Sequence, residues 1–97
     1  MAPIWEGTDM LTKKLEITNK TGLHARPASD FVMEAKKYAS KVTICREGGT
    51  PVNAKSIVRL LAEGIGQGTK IELSTEGEDE EAAMVTLAAI IESGFGE

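Results

Sequence analysis

From Leu11 onward, apolar positions switch between a period of two and the wider spacing of a helix. In Lys13 to Asn19, Leu15 and Ile17 face one way and Lys14, Glu16 and Thr18 the other, the pattern of a half-buried strand. Pro27 to Ala39 carries Ala28, Phe31, Val32, Ala35, Tyr38 and Ala39 at helical spacing. Lys41 to Arg46 alternates through Val42 and Ile44. The turn cluster Glu47-Gly48-Gly49-Thr50 then predicts a hairpin back through a short strand, Pro51 to Ala54. Ser56 to Ala62 reads as a short helix with Ser56 as N-cap and Gly64 as terminator. Thr69 to Thr75 alternates through Ile71 and Leu73. Asp79 to Ser93 is a helix with acidic residues in its first turn and Gly94 just past its end. The predicted order is β-α-β-β-α-β-α.

Three of these strands keep a polar face, so the sheet should be covered on one side only. That pattern is solved by an α+β fold, a four-stranded antiparallel or mixed sheet with three helices on one face. The last helix is apolar almost all round, from Ala82 through Ile91, and is expected to be the most buried. Residues 1–10 stand apart: Pro3, Gly7 and Asp9 break any pattern, which predicts a flexible N-terminal extension or leader. Residues 11–97 form the single domain, with no repeat and no internal linker.

Composition narrows the partners. Aromatics are only 4% of the chain, so Ile, Leu, Val, Ala and Met must build the core. A net charge of −4 supplies no basic stripe to neutralise nucleic-acid phosphates. Cys45 is the only cysteine, which excludes an internal disulfide and fits a reducing compartment. No run approaches the length of a membrane span and no signal peptide opens the chain, so a soluble, cytoplasmic protein is expected. Cys45 has no histidine or second cysteine near it in sequence to make a metal site. The run Glu76 to Glu81 lacks the spacing of a calcium loop and reads as a solvated loop and helix cap.

The chemistry concentrates at the only histidine, in Thr21-Gly22-Leu23-His24-Ala25-Arg26-Pro27-Ala28. Proline favours the first positions of a helix, which puts His24 at or just before the cap. Free backbone N–H groups and the positive end of the helix dipole favour an anion there. A nucleophilic imidazole on such a site, with Arg26 beside it, suggests a phosphoryl-carrying histidine. A histidine that merely caps a helix, in a binding module without phosphoryl chemistry, is the other reading. Local chemistry alone leaves both open.

The chain from about Leu11 to Glu97 resembles HPr, the histidine-containing phosphocarrier of the bacterial sugar phosphotransferase system. Three stretches carry the likeness: Gly22 to Ala28, then Val52-Asn53-Ala54-Lys55-Ser56-Ile57, then Gly68-Thr69 with Glu76-Gly77-Glu78-Asp79-Glu80. The family's fold is an open-faced β-sandwich with the element order already read from periodicity. The resemblance implies a carrier rather than an enzyme, needing no cofactor or metal. His24 would take a phosphoryl group on Nδ1 from phosphorylated enzyme I and pass it to IIA components of sugar permeases. Arg26 would pair with the phosphate oxygens, the N–H groups of Ala25 and Arg26 would add to the site, and Pro27 would fix its geometry.

Ser56 has a structural role of its own, since an N-cap of this kind is worth about 1 kcal/mol. The resemblance adds a regulatory role, phosphorylation by an HPr Ser kinase/phosphorylase. Ile57, Val58 and Leu61, extended by Met33, would form an apolar docking patch for enzyme I and IIA proteins, whereas spacing requires only Leu60 for packing. The carrier is expected to be monomeric. A regulatory relative stays open as the alternative: a phosphoacceptor of a nitrogen-related phosphorelay, or a serine-phosphorylated corepressor. The presence of His24 argues against relatives that lost the histidine. The ending Ile91-Glu92-Ser93-Gly94-Phe95 is similar to some members of the nitrogen branch.

Overall fold

The computed structural model describes residues 10–96. Its elements are β1 (Met10–Glu16), α1 (Ala25–Ala35), β2 (Lys41–Arg46), β3 (Val52–Asn53), α2 (Ile57–Ala62), β4 (Lys70–Glu76) and α3 (Glu80–Glu92). The strands form one antiparallel sheet in the order β1-β4-β2-β3. The helices cover one face: α3 lies on β1 and β4, α2 packs on β3, and α1 packs against both helices. This is the one-sided sheet expected from the alternation, and the open-faced β-sandwich that the resemblance implies. Its core joins Ile71 and Leu73 of β4 and Val42 and Ile44 of β2 to Phe31 and Leu87 of the helices.

The boundaries differ from the periodicity in instructive ways. The first strand starts and ends three residues early, because pairing with β4 decides its length. Met10 lies opposite Glu76 and Glu16 opposite Lys70. Met10 therefore belongs to the sheet and not to the leader; the rest of the expected extension, residues 1–9, lies outside the described residues. Ile17 leaves the strand but stays fully buried, its N–H donating to the Thr69 carbonyl at 2.9 Å. Lys13 interrupts the apolar face of β1 and reaches Glu92 of α3 at 3.2 Å. β3 keeps only Val52 and Asn53 of the expected Pro51 to Ala54.

The first helix spans Ala25–Ala35 instead of Pro27 to Ala39. Pro27 is its third residue, where a missing N–H still costs no helical bond. At the other end, tertiary partners replace the helical ladder. The Asp79 carboxylate accepts the N–H groups of Ala39 at 2.8 Å and Ser40 at 2.9 Å, and the Ser40 hydroxyl as well. The Lys55 ammonium takes the Tyr38 carbonyl at 2.6 Å. Asp79 thus sits at the N-cap position of α3 without capping it, and the acidic run is more than a solvated loop. α3 is also not the most buried helix. Ala82, Val85 and Ala89 face solvent, with Val85 71% exposed, whereas α1 buries Pro27, Ala28, Phe31, Val32 and Ala35.

A pH dependence arises from the Asp79 contact. The Ser40 hydroxyl first, then the Ala39 N–H, hold this carboxyl below its ordinary value. Its folded pKa is therefore lower than its unfolded one. The stability it contributes is present above the ordinary aspartate range, about pH 4, and is lost as pH falls through the folded value. Asp79→Asn is expected to melt below the native protein at pH 7, with the gap closing in acid. Melting curves across pH check this, and a gap independent of pH would show that the charge of Asp79 contributes nothing.

Candidate functional site

His24 is held from both sides. Before it, Leu23 donates its N–H to the Ile65 carbonyl at 2.9 Å. Gly22 adopts φ +65° and lies so close to the Ile65–Gly66 backbone that a Cβ there would sit 2.5 Å from the Ile65 oxygen. After it, the His24 carbonyl accepts the Ala28 N–H at 2.9 Å, the first bond of α1. His24 is the N-cap residue, with an extended backbone at φ −104° and ψ −165°.

Its imidazole makes no capping hydrogen bond. The side chain is exposed, as are Ala25 and Arg26. The N–H groups of Ala25 and Arg26 stand in the first turn, where no carbonyl four residues earlier can receive them. No acidic residue occupies that turn to offset the positive end of the helix dipole. An exposed imidazole, first-turn amides without an intrahelical acceptor and the exposed Arg26 therefore share one helix start. Pro27 and Ala28 are buried beneath it and fix α1 to the core. Phe31, one turn further, packs edge-on against Phe95 with ring centroids 6.2 Å apart.

Ser56 is the N-cap of α2, its hydroxyl accepting the Arg59 N–H at 3.3 Å. Of the apolar residues in this helix, Leu60 is fully buried, Ile57 half-buried, and Val58 and Leu61 exposed at 72% and 42%. Met33 on α1 is 65% exposed. The α1–α2 contact puts these side chains on one helical layer, and the chain reaches Ile65, the partner of Leu23, four residues past Leu61. Sequence patterning did not find the supports of the His24 loop: Asn19, Ile65, Gly66 and Gln67. Only the glycine at position 22 hints at them, through its need for a positive φ.

Among the described residues, no three His, Cys, Asp or Glu side chains gather as a metal site. No helix among them is long and apolar enough to cross a membrane. The concavity lined by Glu76 to Ala82 is acidic and would repel a phosphate.

Comparison with known proteins decides the family. Residues 11–93 match the family PTS-HPr, described as the PTS HPr component phosphorylation site. The chain belongs to the HPr family. It is 49% identical over 83 residues to the HPr-like protein Crh of Halalkalibacterium halodurans, covering 86% of this chain and 98% of that one. It is 43% identical over 82 residues to the phosphocarrier protein HPr of Haemophilus influenzae, covering 84% and 95%. The crystal structure of HPr-C-His from Thermoanaerobacter tengcongensis superposes with a TM-score of 0.85 at 47% identity, covering 90% and 97%. HPr of that organism is also known as a crystalline dimer. Family and fold together make this chain an HPr-family phosphocarrier of the phosphotransferase system.

Proposed function

We propose that His24 accepts a phosphoryl group from phosphorylated enzyme I and hands it to IIA components of sugar permeases. The observation that carries this reading is the N-cap imidazole left out of any capping bond beside exposed first-turn amides. The Nδ1 lone pair attacks phosphorus, the bond to the donor breaks, and the donor recovers its electron pair. Arg26 and the N–H groups of Ala25 and Arg26 stabilise the charge spread over the phosphoryl oxygens, while Pro27 holds the geometry. The test is label transfer from phosphoenolpyruvate through enzyme I. An acid-labile label on this chain, passed on to a IIA protein, supports the reading; no label on the native chain overturns it. Labelling by a nitrogen-type enzyme I alone would move the carrier to the nitrogen-related branch.

The likeness to Crh favours a second reading, in which Ser56 is phosphorylated by an ATP-dependent HPr kinase and the chain acts as a regulator. Both fit one molecule if α2 belongs to the docking surface together with Met33, Ile57, Val58 and Leu61. The carrier acts as a monomer in this reading, and light scattering at working concentration tests that against a dimer.

Ser56→Asp puts a carboxylate where a phosphate would sit. Both residues are good caps and the charge complements the dipole, so the melting temperature should hold. Affinity for enzyme I should fall roughly tenfold at low salt and recover as salt is added. Ser56→Ala should instead lose about 1 kcal/mol of stability and keep its affinity. Calorimetric titration at two salt concentrations measures both. Unchanged affinity of Ser56→Asp at low salt would remove α2 from the docking surface.

A further inference from the structure

We propose that Asn19 is a positioning residue for His24. It is only 6% exposed and lies five residues before the histidine, outside any strand or helix. Its side-chain Nδ2 donates to the Gly22 carbonyl at 3.0 Å, a buried bond, and to the Thr21 hydroxyl at 3.2 Å. The Asn19 carbonyl in turn accepts the Gly22 N–H at 3.2 Å. One residue thus closes the Asn19–Gly22 turn through both its backbone and its side chain. A surface turn does not need a buried amide for that, because water can serve the same groups; burying an amide costs free energy unless its bonds are made.

Closing the turn through Asn19 also fixes the residues between it and α1. The turn presents Gly22 at φ +65° against Ile65 and Gly66, and this contact sets Leu23 to donate to Ile65. The same partner loop is tied back by Gln67 Nε2 on the Thr18 carbonyl at 3.2 Å and by the Gly68 N–H on Ile17 at 2.7 Å. A Cβ at Gly94, past the end of α3, would come within 3.7 Å of the Asn19 Cβ, so that backbone runs near the far side of the turn. The His24 backbone therefore enters α1 from a turn bonded at Asn19, Gly22 and Leu23. Phosphoryl transfer depends on alignment of the attacking nitrogen, and a displacement of about 1 Å can cost a hundredfold. Asn19 acts on His24 through the turn, by its bonds to Gly22 and Thr21.

The inference rests on the phosphocarrier reading, and its experiment separates the two. Asn19→Leu keeps the branching of the side chain and removes the donors; Asn19→Ser, smaller and still polar, serves if the bulkier leucine variant does not fold. Single-turnover transfer from phosphorylated enzyme I is expected to slow about tenfold or more, while the concentration giving half-maximal rate stays within about twofold, because docking residues are untouched. Amide resonances of Leu23 to Arg26 are expected to shift while those of β2 and α3 stay in place. A native-like transfer rate in a folded variant, or unmoved resonances at residues 23–26, would overturn the positioning role. Equal loss of affinity and rate would overturn it too, by showing general unfolding. Failure of the native chain to take label is a different result and strikes the phosphocarrier reading, while the resonance shifts still decide the role of Asn19.

Discussion

His24→Ala is expected to abolish acid-labile phosphorylation of this chain and to leave its fold standing. The chain has no second histidine, so no other imidazole can take over. Neither the helix nor the core depends on the side chain. The imidazole makes no capping bond, and the bond that starts α1 comes from the His24 backbone carbonyl, which alanine keeps. An exposed residue of this kind shifts stability by about 0.5 kcal/mol or less. Any phosphorylation of Ser56 by a serine kinase should persist, since a phosphate ester survives acid that cleaves a phosphoramidate. Two labelling reactions, each split into acid-treated and untreated halves, read both sites. An acid-labile label retained on His24→Ala, with its melting curve native-like, would remove the histidine from the carrier role.

That prediction uses residues legible in the sequence alone. His24, Arg26 and Pro27 stand close together, and proline's preference for the first turn is enough to set a histidine at a helix start. The alternations of Val42 and Ile44 and of Ile71 and Leu73 likewise give the sheet, because a period of two is a property of each strand by itself. Boundaries are different, because the partner strand or a distant side chain decides them. Met10 became a strand residue through Glu76, and α1 stopped at Ala35 where Asp79, far along the chain, collects the amides of Ala39 and Ser40. Nor does an apolar helix imply a buried one: α3 covers the β1 side of a sheet only four strands wide, and its outer row, Ala82, Val85 and Ala89, has nothing above it among the described residues. The turn around His24 was the least legible part. Asn19, Ile65 and Gln67 meet there by tertiary contact, and no spacing in the sequence connects them.

Gly22→Ala measures how much that turn depends on close approach. Two effects act at this position. A left-handed backbone at φ +65° costs an alanine about 1–2 kcal/mol. The added Cβ would also lie 2.5 Å from the Ile65 oxygen and 2.6 Å from the Gly66 Cα, both backbone atoms that no rotamer change can move aside. Relieving such an overlap in a packed site costs about 1–3 kcal/mol more. Gly64 separates the two effects. Its φ is +63° and a Cβ there meets nothing within 4 Å, so Gly64→Ala carries the backbone cost alone. Gly22→Ala should therefore lose about 2–5 kcal/mol, which for a domain of this size lowers the melting temperature by about 10–30 °C. Gly64→Ala should lose only about 1–2 kcal/mol. Below its melting temperature, Gly22→Ala should also transfer phosphoryl groups more slowly, because separating the turn from Ile65 breaks the bond that Leu23 makes just before His24. Denaturant melts of the two variants, with transfer rates at a temperature where both are folded, give the comparison. Equal destabilisation of the two would mean that the His24 loop relaxes freely around the added methyl group, and that contact with Ile65 and Gly66 does not hold the histidine in place.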